Sequence, residues 1–195
     1  RSTYQKQFDG FLKYRLIRQQ TGKRNVPFSV SLYSSVVYKS LDEPANGYTP
    51  YQTDRLTYSH QIILASKMGD YFSMQLSPTI IHYNMVDSAR YPNDFYSLGA
   101  GFRLRLSKRV NLTGEYYYRF NKLPGYQDPI SIGFDIETGG HVFQLHITNA
   151  TGMTDRTFIN ETRGSWSSWK KSDVRIGFNI SRVFTLKKQI GRAHV

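Results

Sequence analysis

The side chains best suited to metal binding or proton transfer in this sequence are its histidines. Five are present, one of them, His194, close to the C-terminus. His141 and His146 are five residues apart, so in a β-strand they would point to opposite faces, while His60 and His82 are isolated. The chain has no cysteine, which excludes thiolate metal sites and thiol nucleophiles. We therefore predict no metal site and no cofactor.

A histidine-assisted hydrolase is a second kind of chemistry to consider. His146 alternates with Gln144 and Thr148 on one face of a predicted strand, and Asp155 follows a few residues later. A histidine that activates a nucleophile has to sit at hydrogen-bond distance from it. No nucleophile elbow or other hydrolase spacing accompanies these residues, so we expect that the chain is not an enzyme.

The segment 149–171 has the most distinctive mixture of side chains in the chain. Its aromatic rings and cations together suit an anionic or sugar-like ligand, or a partner protein. The candidate binding residues are Arg156, Arg163, Trp166 and Trp169. The same segment could instead fold inward and plug a barrel, with Met153 and Phe158 as anchors. The sequence favours neither arrangement over the other.

The elements that would position these residues are indicated by an alternation of apolar and polar residues. It is clearest over 95–106, where Tyr96, Leu98, Ala100, Phe102, Leu104 and Leu106 alternate with Ser97, Gly99, Gly101, Arg103 and Arg105. A period of two residues predicts a strand with one face toward an apolar medium and the other toward a polar one. Glycine on the polar face indicates a crowded or sharply curved interior.

Weaker alternation completes a set of about nine predicted strands. They span 11–18, 26–38, 55–66, 72–83, 95–106, 111–120, 130–137, 141–149 and 174–181. Short connections alternate with long ones, which is typical of outer-membrane barrels. The first and last strands then run in the same direction, so an even-stranded barrel needs a further strand before the first. We predict an antiparallel up-and-down transmembrane β-barrel, incomplete here and of about ten to twelve strands when intact.

Composition excludes two other classes of protein. The mean hydropathy is −0.51, and no apolar stretch approaches the roughly 20 residues that a spanning helix needs. The net charge is +12, but the charges are scattered rather than gathered on one helix or tract, so we predict no nucleic-acid binding. We assign residues 1–188 to one barrel domain. Residues 189–195 break the alternation, and we interpret them as a non-native tail.

Three segments carry a resemblance to a known family: FDGFLKYRLIRQ at 8–19, GGHVFQLHITNATGMTDRTFI at 139–159 and RIGFNISRVFTL at 175–186. In combination they resemble uncharacterised β-barrel outer-membrane proteins of Bacteroidetes-type bacteria. The resemblance implies a longer parent protein, with further N-terminal strands after a cleaved signal sequence. It implies no reaction and no ligand.

The polar strand faces define the candidate residues of the barrel interior. They are Lys13, Arg15, Arg103, Arg105, Glu115, Asp135, Glu137, Gln144, His146 and Arg175. A tight Gly139-Gly140 hairpin would place Asp135 opposite Gln144 and Glu137 opposite Val142. Extended sideways, this register predicts a row of paired side chains in the order Arg103, Glu115, Asp135 and Gln144.

These observations predict a protein of the bacterial outer membrane that serves as a narrow pore or a surface-binding scaffold. Its partners would be membrane lipid and a small solute, or an anionic or sugar-like ligand; the oligomeric state stays open. The main alternative is a soluble calycin-like barrel that binds an apolar ligand, and an outer-membrane hydrolase is a lesser one. A soluble barrel would turn its apolar faces inward, among them Leu98, Phe102, Ile132, Phe134 and Phe178.

Overall fold

The computed structural model describes residues 6–22, 25–41, 51–86, 88, 90–166 and 173–182. They form one nine-stranded antiparallel sheet in which every strand pairs with its neighbours in sequence. The strands are β1 (Gln7–Ile17), β2 (Ser29–Lys39), β3 (Leu56–Met68), β4 (Phe72–Tyr83), β5 (Asp94–Arg105), β6 (Val110–Arg119), β7 (Ile130–Thr138), β8 (His141–Thr148) and β9 (Arg175–Arg182). The predicted all-β antiparallel fold is confirmed. The proposed tail at 189–195 lies outside the described residues.

Glycine permits the tightest turns of the sheet. Gly139 and Gly140 join β7 to β8 with φ values of 53° and 104°, a left-handed conformation that glycine adopts without a steric penalty. The hairpin closes on the pair Thr138 and His141, as expected for a two-residue loop with positive φ at both positions. This turn sets the register between the two strands that it joins.

The connections differ at the two ends of the sheet. The short-turn end carries residues 18–28, 69–71, 106–109 and 139–140, and the long-loop end carries 40–55, 84–93, 120–129 and 149–174. The 18–28 connection is longer than predicted because β2 begins at Ser29 rather than near residue 26. A bridge between Gln20 and Val26 continues the hairpin there.

The sheet curls into a half-barrel with β1 and β9 as its edges. No ladder of hydrogen bonds joins these two edge strands within the described residues. The helical content of the described chain is a 3-10 turn at Thr53–Arg55 and a π-helical turn at Arg156–Asn160. No helix in that part of the chain is long and apolar enough to span a bilayer.

The convex outer face of the sheet is apolar and exposed, whereas the concave inner face is polar. Exposed outward residues include Leu98, Phe102, Ile132, Phe134 and Phe178, with exposed fractions between 37% and 60%. Buried residues of the inner face include Ser31, Ser35, Ser59, Gln61, Ser77, Thr79, Ser97 and Ser131. A soluble protein would place these two sets the other way round, so the calycin-like alternative is wrong.

Candidate functional site

The candidate site is the concave inner face, here called the lumen, together with a segment that crosses it. Residues 149–166 follow β8, turn away from the long-loop end and lie against the inner face of the sheet. We call these residues the inward segment. Its buried polar residues include Asn149, Thr154, Thr157, Asn160 and Thr162. This placement selects the plug arrangement from the two that the sequence left open.

Side-chain hydrogen bonds attach the inward segment to β1 and β2 on the far side of the lumen. Thr154 Oγ1 donates to the Gln7 carboxamide oxygen of β1 at 3.3 Å. Ser35 of β2 donates to Asp155 at 2.5 Å. These contacts join residues that are more than a hundred positions apart in sequence, so the segment ties the two sides of the curled sheet together.

Arg156, the first residue of the π-helical turn, lies against the lumen wall. Its Nη1 donates to Thr57 Oγ1 of β3 at 3.1 Å, and its Nε donates to Glu161 at 2.7 Å. The guanidinium also stacks over the ring of Tyr83, 4.9 Å from the centroid. The side chain is thus engaged on three sides by the protein itself.

Apolar contacts hold the middle of the inward segment. Ile159 is fully buried in a cluster with four residues from the inner face of β4, β5 and β6. Those four residues are Ile81, Tyr83, Phe95 and Tyr117. Phe158 packs edge-on against Tyr117 with the ring centroids 6.1 Å apart. The predicted anchor Phe158 is confirmed. The other predicted anchor, Met153, is 41% exposed, and the second anchor is Ile159 instead.

Arg119, at the end of β6, joins the inward segment to the 120–129 loop. It is 1% exposed, donates from Nε to Asp128 at 3.1 Å and from Nη1 to the carbonyl of Asn160 at 2.9 Å. Lys122 donates to the other carboxylate oxygen of Asp128 at 2.5 Å. Burial raises the pKa of the Asp128 carboxyl, but these hydrogen bonds from Lys122 and Arg119 outweigh it and lower the pKa below its ordinary value.

Asn149 fixes the start of the inward segment. Its carboxamide oxygen accepts from the backbone N–H of Ile130 at 2.9 Å, and its nitrogen donates to the carbonyls of Asp128 and Gly164, each at 3.0 Å. The side chain therefore replaces part of the strand ladder where β8 ends. It also holds the two ends of the inward segment close together.

The four candidate ligand-binding residues of this segment do not converge on one site. Arg156 faces the lumen, whereas Arg163 donates to the Tyr126 hydroxyl at 3.0 Å and stacks over its ring. Trp166 is 40% exposed. Trp169 lies outside the described residues. Their predicted role in binding a ligand or partner stays a prediction.

The strand register agrees with the prediction between β7 and β8 and differs from it among β5, β6 and β7. Asp135 lies opposite Gln144, which donates to it at 3.0 Å, and Glu137 lies opposite Val142, as predicted. The rest of the predicted row is wrong. Arg103 lies opposite Thr113 and pairs with Glu137 instead.

The pairing of β6 with β7 is shifted by four residues from the predicted register, so Glu115 does not lie opposite Asp135. Glu115 lies opposite Gly101 and Ser131, while Asn111 lies opposite Asp135. The reason is that the 120–129 loop folds back onto Arg119 instead of turning symmetrically about Gly125. In the described part of the chain no basic side chain is within ion-pair distance of Glu115.

His146 occupies a gap between two glycines on the neighbouring strands. Gly133 and Gly177 lie opposite it on β7 and β9. A Cβ at Gly133 would come within 2.6 Å of the Leu145 carbonyl, and one at Gly177 within 2.0 Å of the imidazole Nε2. Glycine is thus required on this polar face, as the crowded interior predicted. Asp155 is bonded to Ser35, and no hydrogen bond joins it to His146 in the described structure.

The remaining predicted lumen residues lie on inner-face positions. Lys13 and Arg15 lie opposite Tyr33 and Ser31, which are inner-face residues of β2. Arg105 lies at the short-turn end, where it donates to the Ser107 carbonyl at 3.3 Å. Arg175 donates to the carbonyls of Asn149 and Asp173. Among the described residues, no group of three or more His, Asp or Glu side chains could hold a metal ion.

Three cavities follow one another along the lumen. The first, of about 520 Å³, lies beside the inward segment and is lined by Glu115, His146 and Asp155. The second, of about 410 Å³, shares with it the residues Thr113, Glu115, Ser131 and Gln144. The third, of about 290 Å³ at the short-turn end, shares Ser73 and Arg103 with the second. Successive cavities along the inner face therefore share polar lining residues.

Several residues that shape this site were missed by sequence reasoning. They are Arg119, Asn149, Ile159, and the inner-face aromatic residues Tyr83, Phe95 and Tyr117. A signal for the aromatic residues was present, because they place large apolar side chains on the otherwise polar face near the long-loop end. Such a break in the alternation indicates that something covers the face there.

An apolar convex face, a polar concave face and antiparallel strands with unequal connections define the class of membrane-spanning β-barrels. The comparison with known families agrees with this class. Residues 1–184 match the family described as a membrane bound beta barrel domain (DUF5777), and the chain belongs to this family. No curated protein and no solved structure matches the chain.

Proposed function

We propose that the chain is a narrow pore of the bacterial outer membrane. Small polar solutes pass through the lumen beside the inward segment. The observation that carries the proposal is the succession of three cavities with shared lining residues. A lumen filled entirely by side chains would offer no such path. No catalytic step is part of this function.

The inward segment is the element that would set the size limit of the pore. It occupies the lumen near the long-loop end and is held by Arg119, Arg156 and Ile159. Loops that fold into a barrel in this way narrow the passage without closing the rest of the lumen. Solutes would pass between this segment and the wall formed by β6, β7 and β8.

The charges along the path differ between its two ends. The cavity beside the inward segment is lined by the acidic residues Glu115, Asp135 and Asp155 together with the basic residue Arg175. The cavity at the short-turn end is lined by the basic residues Lys67, Arg103, Arg105 and Lys108 together with the acidic residues Asp70 and Glu137. A path with both signs of charge suits small polar or zwitterionic solutes better than it suits a single kind of ion.

Conductance in planar lipid bilayers tests this proposal. The wild-type protein is expected to give small, stable current steps. A variant in which residues 153–161 are replaced by a short glycine-serine linker should give larger steps, because the constriction is removed. Arg90→Ser, an exposed change in the 84–93 connection, serves as the control and should leave the current unchanged.

The scaffold function receives less support, since Arg156 is engaged inside the lumen and Arg163 by Tyr126. If the wild-type protein and the shortened variant are both inserted and folded, and neither conducts, the pore function is wrong.

A further inference from the structure

A groove on the outer face of the sheet is a second site, separate from the lumen. Its volume is about 660 Å³. The walls are apolar or aromatic side chains of the outer face: Leu12, Tyr14, Leu32, Ile62, Pro78, Ile80, Tyr96 and Phe120. Because the protein is a membrane-bound barrel, this face contacts lipid.

The groove runs obliquely across six strands. One residue from each strand forms a continuous cross-strand row, in the order Leu12, Ser34, His60, Ile80, Tyr96 and Phe120. Leu12 lies five residues inside the long-loop end of β1, whereas Phe120 lies just beyond the end of β6. The groove therefore descends from the rim of the barrel toward the middle of the membrane. An acyl chain that enters from the lipid–water interface follows the same path.

Two polar side chains interrupt the apolar lining. Ser34 Oγ and His60 Nδ1 are 3.0 Å apart, and both side chains point outward. Polar and ionisable residues are expensive on a surface that contacts lipid, and where they occur they commonly serve a function. The mutual hydrogen bond lowers this cost but does not remove it.

The Ser34–His60 pair leaves one hydrogen-bond donor without an acceptor among the described residues. If Ser34 donates to Nδ1, the imidazole carries its proton on Nε2, and that N–H has no acceptor among the described residues. If Nδ1 donates to Ser34 instead, the serine hydroxyl proton has no acceptor among the described residues. In both tautomers one donor faces the groove, and a hydrocarbon chain offers it no acceptor.

We propose that this groove binds the acyl chain of a membrane lipid and that the Ser34–His60 pair donates a hydrogen bond to the lipid's ester or amide carbonyl. These carbonyls are the acceptors that a bilayer lipid carries next to its acyl chain. His60 lies four residues inside the long-loop end of β3. That is a depth of about 10 Å for a strand tilted by roughly 40°. β3 has 13 residues and about 9 to 11 suffice to cross the hydrocarbon, so two to four of its residues lie outside it. We place this excess at the long-loop end, which puts His60 near the ester level.

The test compares two bilayers that differ in the carbonyl alone. The full chain, labelled with ¹⁵N-histidine, is placed in nanodiscs of ester-linked diacyl phosphatidylcholine or of the ether-linked dialkyl analogue. The ring signal of His60, assigned by its loss in His60→Leu, should shift between the two lipids. His82, which is also outward but pairs with Asp94 at 2.7 Å, should not shift.

A second measurement follows the bound lipid itself. Diacyl phosphatidylcholine retained after exchange into detergent is counted by mass spectrometry. The double variant Ser34→Ala/His60→Leu, which removes both donors, should retain about five-fold less than the wild type, as expected for one lost hydrogen bond. His82→Leu is the matched control and should retain as much as the wild type. Since an apolar residue suits a surface in lipid, His60→Leu should still fold.

A His60 signal that is identical in the two lipids would overturn the proposal. So would equal lipid retention by the wild type and the double variant Ser34→Ala/His60→Leu. Both results would follow if a second copy of the chain, rather than a lipid, covered the groove. Neither measurement depends on whether the lumen conducts.

Discussion

Arg119 links the inward segment to the 120–129 loop. It is buried and connects the Asp128 carboxylate with the Asn160 carbonyl. Arg119 lies four residues after Glu115, on the same face of the strand predicted over 111–120, but it was not among the predicted lumen residues. The alternation could not show that Arg119 has a carboxylate partner in the following loop, because that contact depends on how the loop folds back.

Replacing Arg119 by methionine should destabilise the protein by about 3 kcal/mol, because it leaves the Asp128 carboxylate and the Asn160 carbonyl without their buried donor. Urea unfolding in detergent, followed by tryptophan fluorescence, measures this change. Arg103→Met is the matched control. Its ion pair with Glu137 is 47% exposed on each side and should contribute less than about 1 kcal/mol. Equal effects of the two substitutions would contradict the buried role of Arg119.

The lowered pKa of Asp128 predicts a dependence on acid. Because this pKa is lower in the folded state than in the unfolded one, the contact adds stability at pH values above the ordinary carboxyl value of 3.8. That contribution is lost as the pH falls through the lower folded value. Proteolysis of the inward segment by pepsin should therefore accelerate as the pH drops below about 4. In Asp128→Asn cleavage should already be fast at pH 4 and should vary less with pH.

At the scale of strands, local alternation was sufficient to predict all nine elements, because each strand separates lipid from the lumen. The register between β7 and β8 was also predictable, since the Gly139-Gly140 turn fixes it. The register between β6 and β7 was not, because the 120–129 loop is asymmetric. The position of the inward segment depends on contacts such as Thr154 with Gln7, 147 residues apart, which no local pattern records.

Close packing around His146 predicts that Gly133 cannot be enlarged without cost. A Cβ at Gly133 would meet the Leu145 carbonyl at 2.6 Å, and this backbone atom cannot simply rotate away. Gly133→Ala should destabilise the protein by about 1–3 kcal/mol. Gly10→Ala on β1 is the matched control, since nothing lies within 4 Å of its Cβ position. Thermal unfolding in the same detergent compares the two variants. A Gly133→Ala variant as stable as Gly10→Ala would show that the β7–β8 packing is looser than described.

At the scale of the whole molecule, the orientation of the two faces decides the class of protein. Apolar residues such as Phe102 and Phe134 are exposed, while their neighbours Arg103 and Asp135 line the lumen. The sequence predicted this because each strand carries both sets in strict alternation. It could not predict the shape of the lumen, because the inward segment occupies part of it.

Labelling at single introduced cysteines tests this orientation most directly, and the chain contains no cysteine that would interfere. Cysteine is placed in turn at Phe102, Arg103, Phe134 and Asp135, and each variant is labelled with a small fluorophore and inserted in bilayers that contain doxyl-labelled lipid. The lipid label should quench the fluorophores at positions 102 and 134 strongly, and those at 103 and 135 weakly. Equal quenching at all four positions, or stronger quenching at 103 and 135, would contradict a membrane barrel with a polar lumen.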